Sequence, residues 1–107
     1  MQRAISLRKA LEAKVGPVNI TDTLKERGAR YGPFIESGRV AQNIKTALQD
    51  SVNWSTLDPD MKEAFDMFAN KAGRILNGDP HYHDSWHDIV GYFTLVANRL
   101  ISDDRPE

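Results

Sequence analysis

The 107-residue chain contains no cysteine. This absence excludes disulfide bonds and thiolate metal ligands, and it is typical of proteins from a reducing compartment. No stretch approaches the roughly 18 consecutive apolar residues that a transmembrane helix requires, and the N-terminus lacks the apolar core of a signal peptide. The sequence therefore predicts a cytoplasmic protein that neither spans a membrane nor is exported.

The chain also lacks an excess of charge of either sign, because its formal net charge is only −1. A near-neutral chain is not typical of nucleic-acid binders, so no specific nucleic acid is expected as a partner. The charge is nevertheless uneven: residues 1–32 carry seven Lys and Arg against three acids, and residues 33–107 carry seven against twelve. The basic first third is either an ordinary solvated surface or a phosphate-facing patch.

Alternating patterns typical of strands, internal repeats and low-complexity segments are all missing, whereas helical spacing recurs throughout. We predict helices over 4–15, from Thr21 or Asp22 to Gly28, from Pro33 or Ser37 to Val52, over 59–77, and from His83 or Asp84 to about 101. Segment 27–33 is predicted to be a loop. The expected fold is all-α, a small antiparallel bundle of four to five helices in one domain spanning 1–107. Residues 1–17 are expected to be peripheral, 20–101 to form the core, and 102–107 to fray.

The last two predicted helices each have a broad apolar face at about 100° per residue. In helix 59–77 this face comprises Met61, Ala64, Phe65, Phe68, Ala72, Ile75 and Leu76. In the last helix the face assigned to the core comprises Trp86, Ile89, Val90, Phe93, Val96, Ala97 and Leu100. The other side of the last helix is mixed and comprises Asp84, Asp88, Gly91, Tyr92, Leu95 and Arg99. A second, mixed face often contacts another subunit, so we expect a homo-oligomer, either a dimer or a tetramer.

Two pairs of carboxylates have helical spacing. Glu63 and Asp66 are three residues apart, and Asp84 and Asp88 are four apart, so each pair projects from one helix face. Four inward carboxylates from two antiparallel helices would form a site of oxygen ligands suited to Mg²⁺ or Mn²⁺. Such a site could hold a nucleoside triphosphate.

The alternative for these acids is a set of surface salt bridges. In an antiparallel pair of helices, the residues most nearly level with Asp84 and Asp88 are Arg74 and Lys71. At a rise of about 1.5 Å per residue, Asp88 lies roughly 7 Å from the interhelical loop and Asp66 roughly 16 Å. A tilt between the helices, or a site assembled across a dimer, is needed to unite all four acids.

All three histidines fall in the segment 81–88 (HYHDSWHD). His83 and His87 are four residues apart, as in helical zinc sites, and are alternative metal ligands. The glutamate that follows the first histidine of zinc proteases is missing, however, and this favours a polar pocket, a helix cap or solvent as the surroundings of these histidines. In the predicted loop, Arg27, Arg30 and Tyr31 are candidates for contacting a phosphate and stacking on a base.

Three segments resemble a family of small uncharacterised proteins of tailed phages and prophages. They are 24–32 (LKERGARYG), 63–79 (EAFDMFANKAGRILNGD) and 84–92 (DSWHDIVGY), and the similarity extends over residues 20–101. The resemblance implies a phage-encoded protein, located in the host cytoplasm, and supplies no activity by itself.

A more distant similarity is to the MazG-like all-helical nucleotide pyrophosphohydrolases. These enzymes bind Mg²⁺ through two acidic helical motifs and split NTPs or dNTPs into a monophosphate and pyrophosphate. The resemblance implies Glu63 and Asp66 as the first motif, and Asp84 and Asp88 as the second motif and the catalytic acids. The implied phosphate or nucleotide contacts are Lys71, Arg74, Arg30 and Tyr92.

The two resemblances together imply a phage-encoded, metal-dependent pyrophosphohydrolase that acts on the nucleotide pool. This chain departs from the motifs in its sparser first cluster and in the four-residue spacing of the second. Two alternatives stay open: a non-catalytic module that binds a host protein or a nucleotide signal, and a structural helical oligomer.

Overall fold

The computed structural model describes residues 20–103, and this part of the chain is all-helical without strands, as the sequence predicts. Its elements are α1 (Ile20–Tyr31), α2 (Phe34–Gln49), a 3₁₀ turn (Trp54–Thr56), α3 (Pro59–Asn77) and α4 (His83–Ser102). The predicted helix over 4–15 and the end of the predicted tail, 104–107, lie outside the described residues. None of the described helices combines the length and the apolar character that crossing a bilayer requires.

The predicted loop at 27–33 is wrong for residues 27–31, because α1 continues to Tyr31, and only residues 32 and 33 of this segment lie outside a helix. Its last turn is closed by a hydrogen bond of 2.9 Å from the Gly32 amide to the Gly28 carbonyl. A glycine inside a helix costs only about 1 kcal/mol, so Gly28 does not end α1. The turn into α2 is therefore short, and Gly32, at φ 75°, takes the left-handed conformation that glycine tolerates best.

Helix α3 lies between α2 and α4, and it meets α2 through small residues. Ala69 is fully buried, and Ala41 of α2 is nearly so. A Cβ atom at Gly73 would overlap the Ser37 carbonyl oxygen and lie 3.5 Å from the Ala41 Cβ. The two helix backbones are therefore in direct contact at Gly73, which leaves no room for a larger residue there.

The opposite side of α3 packs on α4 through aromatic rings. Phe93 of α4 meets Phe65 edge-on at 5.5 Å and Phe68 at 6.1 Å between ring centroids. At the far end of this contact, the Arg99 guanidinium donates to Asp60 at 2.8 Å and to Asp58 at 2.9 Å. This hydrogen bonding from Arg99 lowers the pKa of the Asp60 carboxyl and raises that of Arg99.

The predicted core face of α4 is wrong in part. Trp86, Val90 and Leu100 are 52%, 63% and 43% exposed, and Ala97 is exposed as well. The side turned toward α3 instead includes Asp88 and Arg99 from the mixed face, because their charges find partners on α3. The side of α4 that faces α3 therefore differs from the side predicted from apolar periodicity. That periodicity gives no weight to charged side chains that pair across a helix contact. In α3, Leu76 is likewise 68% exposed rather than buried.

The end of α1 is fixed against the end of α3. The Asp79 amide donates to the Arg30 carbonyl at 2.6 Å. A Cβ atom at Gly32 would overlap the Asn77 carbonyl, and one at Gly78 would overlap the Arg30 carbonyl. The two glycines thus allow the backbones of the two segments to touch, and this contact sets the position of Tyr31.

Candidate functional site

A groove of about 550 Å³ runs between α1, α2 and α3. Its volume is within the range of roughly 300–1,000 Å³ that is usual for ligand pockets. Both polar and apolar side chains line it, together with three glycines: Leu24, Arg27, Gly28, Tyr31, Gly32, Pro33, Phe34, Ser37, Gly38, Ala41, Gln42, Asn70 and Arg74.

The Tyr31 ring lies among cationic groups. The Arg74 guanidinium carbon is 4.8 Å from the ring centroid and that of Arg27 is 5.4 Å, both within cation–π range. Neither arginine forms an ion pair with a residue of the described range 20–103. Two guanidinium groups therefore reach the groove with their hydrogen-bonding edges uncommitted, which favours an anionic ligand.

The N-terminus of α2 borders the same groove. Helix α2 begins at Phe34 after Pro33, and no side chain accepts a hydrogen bond from its first amides. The first amides of a helix carry partial positive charge, and they bind phosphate or carboxylate where these are available. Beside them the Phe34 ring is 89% exposed, which is unusual for so large an apolar group.

Arg30, predicted as a phosphate contact, is committed elsewhere. It pairs with Glu26 at 2.8 Å and donates to the Tyr82 hydroxyl at 3.1 Å. Tyr82 in turn donates to Asp84 at 3.0 Å, and this hydrogen bond raises the pKa of the Tyr82 phenol. Arg30 and Asp84 therefore belong to a chain of polar contacts that joins α1 to the start of α4, and neither lines the groove.

The four predicted metal ligands do not come together within one chain. Asp66 lies seven residues, or two turns, before Gly73, so it is on the side of α3 that faces α2. Asp88 instead reaches the opposite side of α3, where Lys71 lies. Within residues 20–103 no group of three or more histidine and carboxylate side chains is arranged to hold a metal ion. The sequence predicts both acidic pairs between two neighbouring helices. Because α3 contacts α2 on one side and α4 on the other, Asp66 faces α2 whereas Asp88 contacts the side that faces α4.

The salt-bridge alternative is confirmed for one pair. The Lys71 ammonium lies 2.9 Å from the Asp88 carboxylate, and only 12% of the lysine side chain is exposed. The hydrogen bond from Lys71 lowers the pKa of Asp88, with smaller contributions from the charges of His87 and Arg74. Lys71 is thus the counter-ion of Asp88 in this arrangement and does not line the groove.

The two remaining predicted metal ligands of α3 have different surroundings. Glu63 is exposed, whereas one carboxylate oxygen of Asp66, Oδ1, is buried and has no hydrogen-bond partner among residues 20–103. Asp66, Asn70 and Arg74 are four residues apart in succession, so Asp66 lies one turn from the groove on the same side of α3. The first acidic pair is therefore on the groove side of the helix.

The histidine pair forms a stack on the surface. The His83 and His87 rings lie 5.6 Å apart at 29°, and the His83 side chain is 82% exposed. The nearest carboxylate to His83 is Asp84, at 3.9 Å. In the described part of the chain these two histidines gain no third protein ligand.

Sequence reasoning found Arg27, Tyr31 and Arg74 but missed Phe34 and Asn70. The Gly32-Pro33 pair marks a helix start, so it could have pointed to Phe34 as a first-turn residue of a helix without a side-chain cap. Tyr92, the last predicted nucleotide contact, is half-buried in α4 and does not line the groove.

Comparison of the chain with protein-family models, with curated protein sequences and with solved structures gave no match. The function of the groove is therefore argued from its own chemistry.

Proposed function

We propose that this protein binds a nucleoside phosphate in the groove between α1, α2 and α3. The observation that carries the proposal is the pair of arginines, Arg27 and Arg74, that flank the Tyr31 ring without ion-pair partners among the described residues. Unpaired guanidinium groups at a concave, partly aromatic surface are the donors that bind phosphate oxygens two at a time.

The phosphates would bind between these arginines and the first turn of α2. The amides at the start of α2 lack a side-chain cap, and the groove is lined by Pro33 and Phe34 at the same place. The amides of a helix N-terminus point toward a bound anion, and the arginine side chains supply positive charge.

The base would stack on an aromatic ring at the rim. Phe34 is the best candidate, because its ring is 89% exposed and makes no aromatic contact with a described residue. Stacking of a base on an aromatic ring contributes about 1–3 kcal/mol. Asn70 and Gln42 line the groove as well, and their amides are suited to hydrogen bonds with a base edge or ribose.

The test is isothermal titration of the purified chain with ATP, GTP, their deoxy forms and the corresponding monophosphates. We expect saturable binding of at least one nucleotide, weakened about 10-fold or more by Arg27→Gln and by Arg74→Gln. Phe34→Ala should weaken it about 5-fold or more without disturbing the fold.

Arg39→Gln is the matched control, because Arg39 is an exposed arginine of α2 that pairs with Glu36 and does not line the groove. Equal losses for Arg39→Gln and Arg27→Gln would show nonspecific charge attraction. No binding of any nucleotide would refute the proposal.

A second candidate function is hydrolysis of the bound nucleotide to a monophosphate and pyrophosphate, in a phage-encoded protein that acts on the nucleotide pool. The observation that favours it is the unpartnered buried oxygen of Asp66, one turn from the groove. Mg²⁺ is commonly held by only one or two carboxylates together with substrate phosphates, and Glu63 and Asp66 fit that requirement. The ion, when bound, would neutralise phosphate charge and lower the pKa of a water molecule.

Within the chain, Arg74 and Arg27 would orient the phosphates and balance the charge that develops as water attacks phosphorus and the phosphoanhydride bond breaks. Product chromatography after incubation with each nucleotide, with Mg²⁺ or Mn²⁺ and with chelator, tests this step. We expect Asp66→Asn to abolish turnover while nucleotide binding persists. Binding without products in any metal would leave a non-catalytic nucleotide-binding module, the alternative that the sequence also allowed.

A further inference from the structure

The outer side of α4 carries a row of exposed residues at heptad spacing, of which the central and C-terminal members include the apolar Val90, Ala97 and Ile101. The positions at successive spacings of four, three, four, three and four residues are His83, His87, Val90, Thr94, Ala97 and Ile101. All six are exposed, and Val90 and Ile101 are 63% and 81% exposed. This is the a/d spacing by which two helices pack along a shared seam, and it spans almost the whole 20-residue helix.

Two polar groups at this surface, the Thr94 hydroxyl and the Trp86 indole N–H, are compatible with a helix contact. The Thr94 hydroxyl donates to the Val90 carbonyl of its own helix at 2.6 Å, which leaves its methyl group to face outward. Beside the row, the indole N–H of Trp86 donates to the Pro80 carbonyl at 2.7 Å, so this large ring presents only carbon to a neighbour. Neither side chain would leave an unpaired donor if the surface were covered.

We infer that α4 pairs with α4 of a second copy of this chain, antiparallel, along these six residues. In an antiparallel pair, each residue of the row lies opposite the residue that is equally far from the other end of the row. His83 then faces Ile101 of the second copy, His87 faces Ala97, and Val90 faces Thr94. The stacked imidazoles of the two copies then lie at opposite ends of the contact.

The positions that flank the row support the same orientation. Antiparallel pairing brings Trp86, 52% exposed, over Leu100, 43% exposed, of the second copy. It brings Asp84 beside the neutral Asn98, so no like charges meet. At the centre the two Gly91 residues face each other, and a Cβ at Gly91 would have nothing within 4 Å in the single chain. The two helices can therefore approach each other closely at the symmetry axis.

The size of the contact is at the lower limit for a stable dimer. A helix of 20 residues is about 30 Å long. A strip of this length covers roughly 500 Å² per copy, or about 1,000 Å² in total, close to the lower limit for a specific interface. The dimer is accordingly expected to dissociate on dilution into the micromolar range.

Sedimentation equilibrium of the full chain over a range of concentrations measures this association. We expect a monomer–dimer equilibrium whose dissociation constant rises about 100-fold or more in Val90→Glu, because two carboxylates would be placed near the axis without partners. Leu95→Glu is the matched control: Leu95 is 69% exposed on the same helix but outside the row, so its effect should be less than about 3-fold.

Cysteine cross-linking tests the orientation, since the natural chain contains no cysteine. With a short bis-maleimide, a mixture of His87→Cys and Ala97→Cys chains should give cross-linked dimers, whereas either variant alone should not. In the antiparallel pair, identical residues 87 lie ten residues apart along the axis, roughly 15 Å. Cross-linking of each variant alone would overturn the antiparallel arrangement. A full chain that stays monomeric, but dimerises once residues 1–19 are deleted, would overturn the inference in favour of that segment as the occupant of the α4 surface.

Discussion

Replacement of Gly73 by alanine tests the close contact of α2 and α3 that forms one wall of the groove. The added methyl group would overlap the Ser37 carbonyl oxygen, and the ideal Cβ position is also 3.5 Å from the Ala41 Cβ. To restore a normal contact distance, the two helices must separate by roughly 1 Å, which loosens the packing around Ala69.

The cost of such overpacking is about 1–3 kcal/mol, and the helix preference of alanine over glycine offsets up to about 1 kcal/mol of it. Thermal unfolding followed by circular dichroism at one protein concentration should show a Tm lower by up to roughly 15 °C for a domain of this size. The same substitution at Gly38 is the matched control, because a Cβ there meets nothing within 4 Å.

Gly38→Ala should raise the free energy of unfolding by about 0.5–1 kcal/mol, through the helix preference of alanine alone. If Gly73→Ala is as stable as Gly38→Ala, the backbones of α2 and α3 are not in contact at this point. The groove would then have a different wall, and the argument for its ligand would lose its basis.

Three further outcomes follow from the ion pairs and the polar chain. Because Arg99 lowers the pKa of Asp60, the stability from this pair is present above the unfolded pKa of about 4 and is lost as pH falls through the folded value. Asp60→Asn should therefore flatten the acid limb of a plot of Tm against pH, and an unchanged acid limb would contradict the pairing. Asp88→Asn should leave nucleotide binding intact, since Asp88 pairs with Lys71 and does not line the groove. Loss of turnover without loss of fold in this variant would restore Asp88 as a catalytic acid. Tyr82→Phe should remove from an ultraviolet titration a phenol whose pKa is raised by its hydrogen bond to Asp84. A difference between the two titration curves that corresponds to a phenol of ordinary pKa would contradict this hydrogen bond.

Local signals in the sequence were sufficient for the order of the helices. The Asp58-Pro59 start of α3 and its end before Gly78 were predicted from capping and proline preferences, and both are confirmed. The continuation of α1 through Gly28 was missed, because its stability depends on contacts far along the chain, such as that between Arg30 and Asp79. The helix propensities of neighbouring residues give no information about contacts between residues so far apart in the sequence.

The arrangement of the site was harder to predict than its residues. Spacing correctly put Glu63 with Asp66 and Asp84 with Asp88, but it could not show that α3 has neighbours on two sides. That fact separates the two acidic pairs and leaves Asp88 with Lys71. The groove itself depends on the angle between α1, α2 and α3, which is set by backbone contacts at Gly32, Gly73 and Gly78. Of the two predicted phosphate contacts Arg74 and Arg30, only Arg74 therefore lines the groove.

The most direct test of the account is an NMR titration of the isotopically labelled chain with the nucleotide that binds best. Amide shifts should be concentrated at the end of α1, the first turn of α2 and the Asn70–Arg74 segment of α3, with saturation at one nucleotide per chain. The Arg27→Gln chain should show the same pattern at higher nucleotide concentrations. Shifts concentrated on α4, or spread over all basic residues without saturation, would contradict a nucleotide site in this groove.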